Sequence, residues 1–358
     1  MKLGSATNFN TLGTLGIEEE YFLVDSSGKP TNAPDSLSMA SNAPGFLKNN
    51  IDHELFKFIL ECRIPTMSTL NDAHDALFEM RAKINSYVQD YGLKLAASGL
   101  HPLALWQELD HIESPRYVSQ LDRIQYPQKR NTTAGLHIHF GVDDAEKAIW
   151  MVNQSRPYLP LLLALSSNSP YWNGFDTGLQ SARAVIFESL PNTGMPTEFS
   201  SMSDYLHFER LMVEMNSVQD RGALWHDVRP HTKNGTVEIR IMDAQTQPER
   251  SGHLLEYVYY LLSDLSERYD DGESGVSPRF EILCENKWRA LRYGYDSTFI
   301  NWENSNQISI MDMIESECQR LGTYSLRNLY DLGSGSSYQR SQYDQGGFGT
   351  LCRGLIFQ

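Results

Sequence analysis

Three short stretches of this sequence set strong ligands or charges two residues apart: Glu18 and Glu20 in GIEEEYFLVD, His137 and His139 in GLHIHFGV, and Glu238 and Arg240 in TVEIRIMD. On an extended chain, residues i and i+2 point the same way about 6.6–6.8 Å apart. Glu18 and Glu20 can therefore each hold one of two neighbouring divalent cations, while Glu19 faces the other side. Paired histidines present imidazoles to a metal. A carboxylate beside a guanidinium offers a metal ligand together with a planar fork for two phosphate oxygens. A fourth stretch, Asp52 to Glu61, ends in Glu61 after an apolar run. That glutamate is expected to be partly buried, and a buried carboxylate needs a cation or a proton.

Each pattern has a plainer reading: an exposed acidic strand edge, two surface histidines, a cross-strand salt bridge. Lying side by side on one strand, Glu238 and Arg240 are not expected to pair with each other. Taken together, a carboxylate-rich set with histidine favours Mg²⁺ or Mn²⁺ over zinc. The sequence has neither a GxxxxGK[ST] loop nor a GxGxxG turn. Phosphate would then be bound by metal ions and by arginines, with Arg183, Arg229 and Arg240 as candidates.

The elements that must position these residues read as strands with one apolar face. Leu15, Ile17, Tyr21 and Leu23 alternate with Glu18, Glu20 and Phe22; Leu136, Ile138 and Phe140 with the two histidines; Val237, Ile239 and Ile241 with Glu238 and Arg240. Helices are expected at about 71–91, 145–154, 204–215, 249–269 and 308–321, with Gly92 closing the first and Pro157 and Pro160 interrupting rather than lying inside a helix. Periodicity does not decide whether 52–61 is helical or extended. The stretch 333–349, rich in Ser, Gly, Gln and Tyr, reads as a loop or mobile tail. Strands and helices in this arrangement predict an α+β fold, with helices covering the apolar side of a mostly antiparallel sheet.

The chain of 358 residues carries 30 Lys and Arg against 45 Asp and Glu, a formal charge of −15. A pI near 5.1 argues against nucleic acid as a partner. The longest apolar run, Leu159 to Leu165, is far short of the roughly 20 residues that span a bilayer. The start, MKLGSATNFNTLGTLG, has no apolar signal-like core. Cys62, Cys284, Cys318 and Cys352 stand far apart, as reduced structural thiols would. A cytoplasmic protein without membrane partners is the expectation.

The strings GIEEEYFLVD, GLHIHFGV, LLALSSNSPYWNGFDTGLQSAR, WHDVRP and TVEIRIMD occur in that order, and Gly335 to Arg340 follows them. This succession resembles the carboxylate–amine ligases of the glutamate–cysteine ligase family 2 type. The resemblance implies one catalytic unit over 1–358 with a glutamine synthetase-like, curved antiparallel sheet and helices on its outer side. It implies ATP-dependent activation of glutamate as a γ-glutamyl phosphate, then attack by an amine such as cysteine, with ADP and phosphate released. Glu18, His137 and Glu238 would hold Mg²⁺ or Mn²⁺ on the nucleotide phosphates, and Glu20, Glu54 and Glu61 a second cation. Arg240 and Glu61 would be the catalytic residues, Arg240 on the transferring phosphoryl group. Arg183, Arg229 and Arg240 would contact the nucleotide, and Asn168 and Arg183 the substrate, within a loop that also carries Trp172, Asp176 and Thr177. Family grounds add a homodimer. Two other functions fit fewer of these residues: a hydrolase using His137 and His139 to activate water, and a non-catalytic nucleotide or amino-acid binder.

Overall fold

The computed structural model describes residues 3–302 and 304–357. Seven strands form its main sheet: β1 (Leu15–Val24), β2 (Ile51–His53), β3 (Ile59–Met67), β4 (Lys94–Ala96), β5 (Gly135–Gly141), β6 (Val228–His231) and β7 (Thr236–Asp243). They lie in the order β6-β7-β5-β1-β3-β2, with β4 paired to the far end of β1, and every pairing is antiparallel. The three ligand-bearing strands are thus adjacent, with β5 between β7 and β1.

The expected alternation sorts the side chains. Leu15, Ile17, Tyr21, Leu23, Leu136, Ile138, Phe140, Val237, Ile239 and Ile241 all enter one buried apolar cluster. Helices Leu70–Gln89 and Pro248–Asp270 pack on that side and add Leu77, Met80, Ile84, Leu254, Val258 and Leu261 to the same cluster. Thr69 caps the first of these helices by accepting from the Asp72 amide, and Gly92 just beyond its end has φ +72°, where glycine carries no Cβ penalty. Glu19 faces this apolar side. It is neutralised there by Arg81, whose Nε and Nη2 donate to its two oxygens at 2.8 and 2.5 Å, and by Ser251 at 2.7 Å.

The segment that periodicity left open is extended: β2, a turn at 54–58, then β3. Pro157 falls in a 3-10 turn and Pro160 at the start of helix Leu159–Ser166, where the missing N–H costs nothing. The expectation of a tail at 333–349 is corrected. Gly335–Gly354 is helical, broken only at Gly346 and Gly347. Tertiary contacts override its weak composition: Gln339 donates to the Asn168 carbonyl and side-chain oxygens at 2.7 and 2.9 Å, and Arg340 pairs with Asp176 at 3.1 Å. A Cβ on Gly335 would sit 2.5 Å from the Asn168 Oδ1, so only glycine lets this helix start there.

Candidate active site

The polar face of the sheet floors a cavity of about 520 Å³, within the ~300–1,000 Å³ usual for small-molecule sites. Its wall includes Glu18, Glu20, Glu54, Glu61, His137, Arg183, Arg229 and Arg240. Arg63, Arg116, Arg221 and Lys233 stand there too, so an acidic chain carries a locally cationic pocket.

Strand register assembles two ligand groups. In the first, Glu18 lies opposite His137 across β1 and β5, and Glu238 opposite His139 across β7 and β5. Ligand atoms of Glu18, His139 and Glu238 lie within 4.8 Å of one another. The His139 Nε2 is 3.6 Å from Glu18 and 3.9 Å from Glu238, buried and without a hydrogen-bond partner, while Nδ1 is tied to the Thr236 hydroxyl at 2.9 Å. An orphaned imidazole nitrogen aimed between two carboxylates fits a cation, with Thr236 orienting the ring. His137 was the histidine expected in this group. It is buried alongside, its Nδ1 3.3 Å from Glu18 and 3.5 Å from the Arg240 guanidinium. Burial and the Arg240 charge push its pKa down to about 4, so the ring is neutral near pH 7. Both histidines thus stand beside Glu18, and His139 also reaches Glu238 because of the pairing of β5 with β7, a register that a local pattern does not contain.

In the second group, Glu20 lies opposite Glu61 on β3, Glu54 follows β2, and the three carboxylates also converge within 4.8 Å. Burial pushes Glu20 up to about 7, with the Glu61 charge adding to the rise. Glu54 is raised well above the ordinary carboxylate range by burial and by Glu61 and Glu20; Glu61 is raised by burial and by Glu18. Three buried carboxyls all raised toward their neutral form fit a divalent cation, which replaces the protons they would otherwise hold.

The arginines of the cavity also hold protein groups. Glu238 is clamped by both Arg229, Nε to Oε2 at 2.6 Å, and Arg240. Burial favours its neutral form, but these guanidinium charges outweigh it and hold the carboxyl well below its usual range. The expectation that Glu238 and Arg240 would not pair is therefore corrected. An arginine is long enough to span the gap between neighbours on one strand face, and a register irregularity between Ile239 and Met242 falls at Arg240. Arg229 also donates to the Leu224 carbonyl at 2.6 Å, so its fork holds Glu238 and a backbone oxygen at the cavity wall. Arg183 lines the cavity, its guanidinium donating to the carbonyls of Ile241 and Arg240 at 3.2 and 3.3 Å. Gly135 allows this approach, since a Cβ there would lie 2.4 Å from the Arg183 Nη2. Asn168 is not brought to the cavity. Its amide donates to the Ala244 carbonyl at 2.8 Å and its oxygen accepts from Gln339, so it ties the sheet end to the last helix. Trp172 and Asp176 form a small ribbon with Tyr171 and Phe175, and Thr177 donates to the Pro170 carbonyl at 2.8 Å.

Two residues escaped the sequence reading. Asp243, fully buried at the end of β7, accepts from the Asn168 amide and from Ser169 and Ser181 at 2.7–2.9 Å, 3.9 Å from Arg183. Arg63 pairs with Glu61 and Asp52. A signal for it existed: Glu61-Cys62-Arg63 repeats the Glu-x-Arg spacing of Glu238-Ile239-Arg240.

The four cysteines are unpaired. Cys62 points into the apolar cluster behind Glu61, and burial pushes its thiol well above the usual range, which suppresses the thiolate. Cys62→Ala should lower stability by about 1 kcal/mol and leave kcat and its cation dependence near wild type. Loss of activity with an unchanged melting temperature would show that the thiol takes part in the chemistry.

Among the described residues no helix is long and apolar enough to cross a membrane. A family model described as Glutamate-cysteine ligase family 2 matches residues 14–349. The chain is 54% identical over 355 residues to the glutamate–cysteine ligase of Natronomonas pharaonis, covering 99% of this chain and 98% of that one. It is 53% identical over 355 residues to the glutamate–cysteine ligase of Haloferax volcanii, covering 99% of each. The fold matches the crystal structure of glutamate–cysteine ligase from Francisella tularensis in complex with AMP, with a TM-score of 0.70 over 97% of this chain and 88% of that one. Sequence identity there is 12%, so that likeness is one of fold.

Proposed function

The chain belongs to glutamate–cysteine ligase family 2, a family of ATP-dependent ligases that form carbon–nitrogen bonds, and on that premise we propose that it joins the γ-carboxylate of L-glutamate to the amine of L-cysteine. The observation that carries this reading is that Glu18, Glu20, Glu54, Glu61, His137 and Arg240 line one cavity, with His139 and Glu238 grouped around Glu18. A γ-carboxylate oxygen attacks the γ-phosphorus of ATP, ADP leaves, and the amine then displaces phosphate from the acyl phosphate.

Phosphoryl transfer asks the protein mainly for positioning and for charge stabilisation. Arg240, at the cavity wall and braced by Glu238, faces the transferring group. Arg183 borders the same space and orients the acid or the phosphates. Glu18, Glu238 and His139 would hold one Mg²⁺ or Mn²⁺, with His137 beside them, and Glu20, Glu54 and Glu61 would hold the other. Bound there, the cations would supply positive charge that offsets the charge on the phosphates. Glu61 closes the second group and keeps the charge balance beside the reacting carboxylate. The whole chain acts as one catalytic unit in the cytoplasm, as a homodimer.

The test is ADP release with ATP and Mg²⁺ across a panel of amino acids and amines. ADP should appear fastest with glutamate and cysteine together and should stop in excess chelator. Faster release with another acid–amine pair would reassign the substrates, and turnover that survives chelation would remove the cations from the mechanism.

A further inference from the structure

Of the three carboxylates in the second ligand group, only Glu61 has a basic partner among the ion pairs of the described residues. Arg63, two positions along β3, donates through Nε to Glu61, and its Nη2 donates to Asp52 at 2.7 Å. Asp52 is itself held by the His53 amide and imidazole, both at 2.8 Å. The Glu61 side chain is 11% exposed and that of Arg63 46%, so the arginine reaches inward to Glu61 while nearly half of it stays in solvent. Asp52 and Glu61 face each other across β2 and β3. The guanidinium thus bridges an outer carboxylate and an inner one.

We propose that Arg63 is an internal counter-cation for the Glu20–Glu54–Glu61 group, competing with the divalent cation for Glu61 and being handed outward to Asp52 when the cation enters. This rests on the reading above that these three glutamates hold a cation. A fixed positive charge in direct contact with one ligand lowers the site's net negative charge and opposes a second cation. Asp52 offers that charge an alternative partner, already in contact, so Glu61 can be released without leaving a guanidinium unpaired. The pair therefore sets how tightly the second cation binds. Arg63 is a positioning residue in this scheme: it acts through Glu61.

The experiment is a Mn²⁺ titration followed by electron paramagnetic resonance, on the full chain without nucleotide, beside melting temperatures. Removing the competitor in Arg63→Gln should tighten the weaker Mn²⁺ site about tenfold, equivalent to about 1.4 kcal/mol. Arg63→Lys keeps the charge and should stay close to wild type. Asp52→Asn removes the outer partner, leaves the guanidinium on Glu61, and should weaken the same site. A merely structural ion pair would lower the melting temperature in both Arg63→Gln and Asp52→Asn and would not move Mn²⁺ affinity in opposite directions. Unchanged or weaker binding in Arg63→Gln overturns the role of Arg63 while leaving the cation site standing. Wild-type protein that binds no Mn²⁺ sensitive to Glu54→Gln overturns both.

Discussion

Glu238→Gln is expected to lower kcat by at least about 100-fold and to recover part of that loss as the Mg²⁺ concentration is raised. Gln keeps the size and one acceptor oxygen but removes the charge that His139, Arg229 and Arg240 surround. Two buried guanidinium groups then lose their shared carboxylate, so stability should also fall by about 3–5 kcal/mol, the usual result of breaking a buried pair from one side. Arg240→Lys should behave differently. Lysine keeps the charge and can still reach Glu238, so the melting temperature should change less. The bidentate fork is lost, and kcat should fall about 10²–10³-fold with the cation dependence unchanged. Because Glu238 and Arg240 do pair, a stability loss alone does not separate function from structure. Cation dependence does: if both variants melt lower while kcat plotted against Mg²⁺ keeps its wild-type midpoint, the pair is structural only.

The second large effect has the unusual sign. Glu20 titrates at about 7 against an ordinary 4.5, and Glu54 and Glu61 are displaced in the same direction. In that interval the folded chain holds protons that the unfolded chain has released. Stability of the cation-free protein should therefore be greatest below pH about 4.5 as far as these groups decide it, and should fall as pH rises through about 7. Added Mg²⁺ near neutral pH should reverse the fall and release protons on binding. Glu54→Gln replaces a carboxyl that the fold holds protonated above its usual range with a neutral group that has no proton to lose. It should raise the melting temperature of the cation-free protein near pH 7, flatten its pH dependence, and lower activity by about 100-fold or more. Stability gained where function is lost marks a strained ligand group. A Glu54→Gln protein that melts lower than wild type without cation, or that keeps its activity, would contradict this account of the three glutamates.

Much of this site was legible because a strand has a period of two. Glu18, Glu20, His137, His139, Glu238 and Arg240 could be assigned to one face, and Leu15, Ile17, Leu136, Ile138, Val237 and Ile239 to the other, from alternation alone. Glu61 was legible as a buried carboxylate for the same reason that it is strained: an apolar run precedes it. Properties of pairing between distant strands were not legible. The approach of His139 to Glu238 as well as Glu18, the clamp of Arg229 on Glu238 and the bridge from Arg63 to Asp52 each depend on which residue stands opposite which. Asn168 shows the converse failure. A loop rich in Gly, Asn and Pro suggested substrate contact, whereas the last helix, itself hidden in a Ser- and Gly-rich composition, holds that asparagine through Gln339. Composition describes what a segment prefers by itself, and both segments are decided by what they dock against.

In the proposed reaction, one face of this sheet activates a carboxylate by transferring the γ-phosphoryl group of ATP to it. Isotope transfer tests that directly. With glutamate carrying ¹⁸O in its γ-carboxylate, together with cysteine, ATP and Mg²⁺, one labelled oxygen should appear in the phosphate released at each turnover. That oxygen becomes the bridge of the acyl phosphate and leaves with phosphorus when the amine attacks. Dipeptide formed with ADP while the released phosphate stays free of ¹⁸O would contradict the account.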